Sequence, residues 1–206
     1  MNWTLAPDTT RLVLVRHGEP EVESQGRCYG RLDVGLSDHG RDQAAGATRF
    51  LAGAPIAAIF SSPRRRALET ARPLADARGL VLRAREELRE IDFGNIEGMT
   101  FDEVRDRHPS LYEAWMTRPT SVTFPGGEGF ADLERRVLAI AGEIRGVHAG
   151  QTIAVVAHGG VIRALLADAL RLAHEDVFRI DQSHGAVSVV DFLQATAIVR
   201  LLNHVP

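Results

Sequence analysis

Leu12-Val13-Leu14-Val15-Arg16-His17-Gly18-Glu19 is a four-residue apolar run that stops abruptly in a guanidinium, an imidazole and a glycine. A short apolar run bounded in this way reads as a buried strand. The same pattern returns twice: residues 56–60 run into Ser61-Ser62-Pro63-Arg64-Arg65-Arg66, and residues 152–157 run into His158-Gly159-Gly160. Helical periodicity fills the intervals, at about 38–52, 63–78, 130–147 and 161–170, with Phe130, Leu133, Val137, Ile140, Ile144 and Val147 on one face of the third. A further short strand is expected at 80–82. This alternation predicts an α/β fold with a largely parallel sheet. The runs at 186–192 and 197–202 lie only a few residues apart and predict a hairpin at its edge.

Composition narrows the chemistry. At 206 residues, one domain spanning 1–206 is expected, and 45% hydrophobic with 25% charged residues excludes disordered, collagen-like and membrane-spanning classes. The formal charge of -3 predicts no general attraction to nucleic acid or to an anionic membrane, so any anion site is local. All 24 basic residues are arginine, which excludes Schiff-base and pyridoxal phosphate chemistry, the P-loop and the protein-kinase lysine. With Cys28 as the only cysteine, no internal disulfide, iron–sulfur cluster or cysteine-rich zinc site forms. Residues 1–11 lack the pattern of a signal peptide, no apolar run approaches the roughly 18 residues that span a bilayer, and a cytoplasmic setting is expected.

In an open parallel sheet the ligand crevice lies beyond the carboxyl ends of the strands. Arg16, His17, an arginine of the 64–66 run and His158 would meet there. Guanidinium groups with imidazoles suit a phosphate dianion, and Gly159-Gly160 opening a helix adds N–H groups and a positive helix end. Neighbours on a helix differ by about 100°, so at most two of Arg64, Arg65 and Arg66 face the crevice. His39, His108, His148, His174 and His204 read as surface or packing residues, while His184, just before a strand, is a candidate for the pocket rim. Cys28 is not read as a phosphatase nucleophile, because such loops carry an arginine six positions on, where Val34 stands. Expelling an alkoxide from a phosphate ester calls for a proton donor. Glu90 is the candidate, with Asp92, Glu97 and Glu128 as rivals on chemistry alone.

Five ordered blocks now stand together: Arg16-His17-Gly18-Glu19, Leu36-Ser37-x-x-Gly40-x-x-Gln43-Ala44, Ser62-x-x-x-Arg66-Ala67-x-x-Thr70-Ala71, Glu90-x-x-Phe93-Gly94-x-x-Glu97-Gly98 and His158-Gly159. They resemble the histidine phosphatase superfamily, with its phosphoglycerate mutase-like fold. The resemblance implies a three-layer α/β/α arrangement with a small helical cap insertion, here at about 95–125. It also implies a phosphohistidine mechanism: His17 as nucleophile, Arg16 and Arg66 as phosphate clamps with Gly159 beside them, His158 as second pocket histidine and Glu90 as proton donor. Gly26-Arg27-Cys28-Tyr29-Gly30-x-x-Asp33, Gly127-Glu128-Gly129-Phe130 and Phe178-Arg179-x-Asp181-Gln182 are most similar to the α-ribazole phosphatases of cobalamin biosynthesis. Glu23 departs from the family, which often has asparagine there; a carboxylate would repel phosphate unless it turns away or pairs with an arginine.

The mechanism expected from the resemblance has neutral His17 attacking in line, with Arg16, Arg66 and protonated His158 holding the oxygens, and Glu90 protonating the alkoxide. No metal or cofactor is required, since the arginines supply positive charge, and an optimum at mildly acidic to neutral pH is expected. The 95–125 segment carries Phe101, Tyr112, Trp115, Met116 and Phe124, and three arginines against five carboxylates. Such a cover suits a bulky, partly apolar leaving group. Glu23, Tyr29, Tyr112, Trp115 and His184 are the candidates for rim or cap contacts. The partner expected is a small phosphate ester, for a monomer or homodimer. Two alternatives compete: a mutase or broad phosphatase for small sugar phosphates, and a non-catalytic phosphate-binding module.

Overall fold

The structure is a computed structural model and describes residues 2–206. Six strands form one sheet: β1 Thr10–Arg16, β2 Ile56–Ser61, β3 Leu82–Ala84, β4 Thr152–Ala157, β5 Val187–Phe192 and β6 Ala197–His204, in the order β3-β2-β4-β1-β5-β6. The first four are mutually parallel, whereas β5 runs antiparallel to β1 and β6 antiparallel to β5. The expected edge hairpin is therefore present. Its inner strand β5 is buried almost throughout, while β6 alternates half-buried and exposed residues, as an edge strand covered on one face does.

Helices cover both faces. Leu12 and Leu14 of β1, with Ile153 and Val155 of β4, join the cluster built by α5 (Phe130–Val147) and α6 (Gly159–Leu170). Val13 and Val15, with Ala154 and Val156, join the opposite cluster under α1 (Asp38–Phe50) and α2 (Arg65–Arg78). Successive side chains of a strand point to opposite faces, so a continuous apolar run feeds two cores at once and gives the three-layer α/β/α arrangement. Between β3 and α5 the chain forms α3 (Phe101–Arg107) and α4 (Pro109–Thr117), packed through Val104, Val122 and Phe124 onto the α5/α6 side. No described helix is long and apolar enough to cross a membrane.

Several boundaries differ from the sequence expectation. α2 begins at Arg65 rather than 63, because Ser62-Pro63-Arg64 makes the turn and the Arg64 N–H donates to Ser62 Oγ at 3.3 Å. α6 begins at Gly159, two residues early, and β3 lies at 82–84 rather than 80–82. Val147, expected on the inner face of α5, is 74% exposed at the helix end, where no layer remains to cover it.

Candidate active site

β1 and β4 are adjacent and parallel, so their carboxyl ends deliver Arg16-His17 and His158 to one place. The His17 N–H donates to the Ala157 carbonyl at 2.9 Å, and its own carbonyl accepts from the Gly185 N–H at 3.1 Å. The ring is buried, with Nδ1 2.7 Å from the Gly18 carbonyl. A carbonyl only accepts, so Nδ1 carries the hydrogen and Nε2 keeps its lone pair. Gly18 is required there: a Cβ would lie 2.3 Å from the Gly40 carbonyl oxygen. Burial, then the Arg66 and Arg16 guanidiniums, push His17 well below the ordinary histidine range, so the ring is neutral and nucleophilic at pH 7.

Arg66 is fully buried at the start of α2. Its Nη1 donates to the Leu32 carbonyl at 2.9 Å and its Nη2 to those of Tyr29 and Gly30 at 3.0 and 3.2 Å, with the Tyr29 ring 4.9 Å from Cζ. Burial lowers it to about 10, which leaves it protonated at neutral pH. Arg16 donates through Nη1 to the Gln182 carbonyl and through Nη2 to His184 Nε2 at 2.9 Å. The remaining nitrogen of each clamp, Arg16 Nε and Arg66 Nε, is buried without a hydrogen-bond partner among the described residues, as is His158 Nδ1. Unpaired buried donors cost about 1–3 kcal/mol each.

His158 is fully buried, its ring centroid 5.1 Å from that of His17 and its Nε2 2.7 Å from Ser62 Oγ. Ser62 Oγ accepts from the Arg64 N–H; in the tautomer in which its hydroxyl donates to His158 Nε2, the imidazole hydrogen lies on Nδ1. Burial, Arg66, His17 and Arg16 together hold His158 well below its ordinary value, so the imidazole by itself is neutral; the protonated form expected from sequence needs the charge of a phosphate dianion beside it.

Of the four rival carboxylates, geometry selects one. Glu97 is committed to the N–H groups of Gly30 and Arg31 at 3.0 and 2.7 Å, Asp92 to Gly94 at 2.8 Å, and Glu128 to Arg136 through two contacts of 2.8 Å. Glu90 lines the cavity, held by the N–H groups of Ile91 and Gly160 at 3.0 and 3.1 Å. A Cβ on Gly160 would stand 2.4 Å from Glu90 Oε1, so glycine is needed where the helix meets the carboxylate.

Arg16, His17, Arg66 and Glu90 form the inner end of a cavity of about 320 Å³. Phe93, Phe101, Trp115, Phe124, Phe130 and Phe178 line the remainder. Trp115 stacks on Phe101 with centroids 5.3 Å apart and meets Phe124 edge-on at 5.1 Å, while Phe178 meets Phe130 at 5.3 Å. Arg163 lines the cavity as well, its Nε donating to the Ile180 carbonyl at 2.8 Å.

Among the sequence candidates, Arg16, His17, Tyr29, Arg66, Glu90 and Trp115 border the cavity; His158 lies against His17, and His184 lies behind Arg16. Others are placed elsewhere. Gly160, not Gly159, borders the cavity; a Cβ at Gly159 would press on Arg163 Nη1 at 3.1 Å and stand in ordinary contact with Arg16 Nε at 3.6 Å. Tyr112 packs against the hydrophobic core, and Glu23 is exposed on a short 3-10 turn, Val22–Ser24, outside the lining. His39, His108, His148, His174 and His204 are not lining residues. Sequence reading missed Ser62, Arg163, Phe93, Phe130 and Phe178 as site residues. Ser62, Phe93, Phe130 and Phe178 stand inside the motif stretches quoted above, and Arg163 lies one helical turn beyond Gly159-Gly160 on the same face.

A nucleophile-ready imidazole between guanidiniums at the strand ends of an α/β sheet defines a phosphate-handling class of protein. The model of the histidine phosphatase superfamily (branch 1) matches residues 12–205, and the chain belongs to that family. It is 39% identical over 204 residues to a bifunctional protein of Mycobacterium tuberculosis, covering 98% of this chain but only 56% of that protein, so it spans little more than half the length of that relative. It is 32% identical over 193 residues to phosphoserine phosphatase 1 of Hydrogenobacter thermophilus, covering 94% of this chain and 92% of the relative. Among solved structures, the α-ribazole phosphatase from Shigella flexneri superposes with a TM-score of 0.85 at 28% identity, covering 94% and 96% of the two chains.

Proposed function

We propose that the chain is a phosphomonoesterase working through a phosphohistidine on His17 Nε2. The observation that carries this reading is a buried imidazole whose lone pair is fixed on Nε2, bordering one cavity with the Arg16 and Arg66 guanidiniums and with the His158 ring 5.1 Å away. In the first step Nε2 bonds to phosphorus and the ester P–O bond breaks toward the leaving oxygen, which takes a proton from the Glu90 carboxylic acid. In the second, the Glu90 carboxylate takes a proton from water as its oxygen bonds to phosphorus and the P–Nε2 bond breaks. The arginines and the His158 N–H offset charge on the equatorial oxygens.

The substrate reading follows the outer end, where 95–125 serves as the cap. Its surfaces are mostly rings, with Phe93, Phe101, Trp115, Phe124, Phe130 and Phe178 in the lining. A leaving group with a flat apolar part fits these rings, and α-ribazole 5'-phosphate, a nucleotide with an aromatic base, is the substrate proposed. The resemblance to the Shigella enzyme supports it.

Reaction with phosphoryl-radiolabelled ester, quenched in alkaline detergent, is expected to leave a base-stable, acid-labile adduct on His17, absent from His17→Ala. An adduct-free protein that still turns over ester sinks the covalent mechanism. A panel of esters compared by kcat/KM is expected to rank α-ribazole phosphate above phosphoserine and sugar phosphates. Equal ranking removes the substrate assignment and leaves a broad phosphatase.

A further inference from the structure

We propose that His184 is a positioning residue for Arg16: as a neutral acceptor it anchors one terminal nitrogen of the guanidinium so that Nε–H, not the terminal fork, is turned to the phosphate. The proposal rests on the reading that phosphate binds between Arg16 and His17.

A guanidinium has five donors and no acceptor, so in the 2.9 Å contact between Arg16 Nη2 and His184 Nε2 the imidazole nitrogen accepts. With Nη1 on the Gln182 carbonyl, both terminal nitrogens point back into the protein and only Nε is left without a partner. The segment that carries His184 is itself fixed. The Ser183 N–H donates to Asn203 Oδ1 at 2.7 Å, the Gly185 N–H donates to the His17 carbonyl at 3.1 Å, and Gly185 adopts φ +70°, with Gln43 where a Cβ would stand. The His184 ring lies 5.3 Å from the His17 ring. One short turn thus fixes the backbone of the nucleophile and the aim of the clamp together.

The groups facing His184 keep it an acceptor. Arg16 and His17 come from the end of β1, Arg66 from α2, Glu19 from the following loop, and the Tyr29 hydroxyl lies 3.5 Å from Nε2. Burial, Arg16 and Arg66 push His184 down to about 4 against the opposing pull of Glu19, so the ring is neutral at neutral pH, and the Arg16 donor fixes its lone pair on Nε2. A proton there would set a donor against the Arg16 N–H.

The test compares His184→Leu, which removes the acceptor, with His184→Gln, whose amide oxygen replaces it. KM for p-nitrophenyl phosphate and the inhibition constant of inorganic phosphate are expected to rise about tenfold in His184→Leu, as for loss of a hydrogen bond to a charged group, with kcat within about threefold of wild type. His184→Gln is expected to restore both to within about threefold. In an Arg16→Ala background, His184→Leu should add nothing; independent losses that simply add would overturn the proposal, and so would tighter phosphate binding by His184→Leu alone. A fall in kcat shared by both substitutions, with KM unchanged, would instead make His184 a proton-transfer group and also overturn it. Wild-type protein that forms no phosphohistidine would refute the functional reading, whereas the ordering of phosphate inhibition constants judges His184 on its own. If His184→Leu does not fold, the His184→Gln and Arg16→Ala constants decide: Gln weakening phosphate as much as Arg16→Ala overturns the proposal.

Discussion

The two ends of the cavity are made of different materials. At the inner end, Arg16, His17, Arg66 and His158 are extensively buried, each held through hydrogen bonds to nearby backbone or side-chain groups, and charge dominates. At the outer end, six aromatic rings hold one another by contact, and Phe101 and Phe178 remain 40% and 39% exposed. The contrast teaches a division of labour. A donor fixed in a dry, polar pocket acts on the charge that develops during reaction, whereas an apolar wall acts on whichever group it covers, in ground and transition state alike.

The sharpest way to break that division is at the nucleophile. His17→Ala is expected to lower kcat by about 10⁴-fold or more with every ester, aromatic or not, while circular dichroism stays native. Activity surviving at a tenth of wild type would place the chemistry elsewhere. Glu90→Gln comes next and depends on the leaving group: in kcat/KM, which reads transfer to His17 and not the later hydrolysis, the loss is about 10²-fold for an alkyl phosphate and under about threefold for p-nitrophenyl phosphate, whose phenolate departs without a proton. Equal losses on both esters would make Glu90 a binding group. Trp115→Ala tests the outer end, with KM for an aromatic-base ester rising about tenfold and that for a small alkyl phosphate moving less than about twofold. A uniform change would show that the ring only packs the cap.

The smallest effect is thermodynamic. His17 and His158 are both depressed in the folded protein, first by burial and then by the arginines, so as pH falls below about 6.5 the unfolded chain takes up protons that the folded rings refuse. Stability should therefore be flat from these groups above pH 6.5 and decline below it, lowering Tm by a few degrees by about pH 5. Saturating inorganic phosphate should reduce that decline, because an anion beside the rings favours their protonated forms. A Tm insensitive to pH over this interval would contradict the buried neutral pair.

The inner end was legible because its residues sit where apolar runs stop. Arg16, His17 and His158 each follow a strand directly, and parallel pairing of β1 with β4 carries them together without help from any loop. Arg66 was separable from Arg64 and Arg65 only through the spacing of a known motif, and Glu90 from Asp92, Glu97 and Glu128 only likewise, since a carboxylate has the same chemistry wherever it points. The structure separates those carboxylates by position, since Glu90 alone of the four borders the cavity. Ser62 passed as a turn residue, and its hydrogen bond to His158 spans 96 positions. The outer end was legible in composition but not in membership: Trp115 and Phe101 face the cavity and Tyr112 the core, although all three share one segment. Phe130 and Phe178 come from outside that segment, and no local pattern marks them as partners.

Sequence by itself determined the strand–helix alternation, the arginine-only positive charge and the placing of imidazoles at strand ends, because periodicity, residue chemistry and strand termini are local properties of the chain. Tertiary structure alone decided the Nε2 lone pair of His17, the neutral state of His158, the choice of Gly160 over Gly159 at the cavity wall, and which rings face the cavity. Those depend on burial and on hydrogen bonds between residues far apart in the chain, and neither exists until the layers have packed.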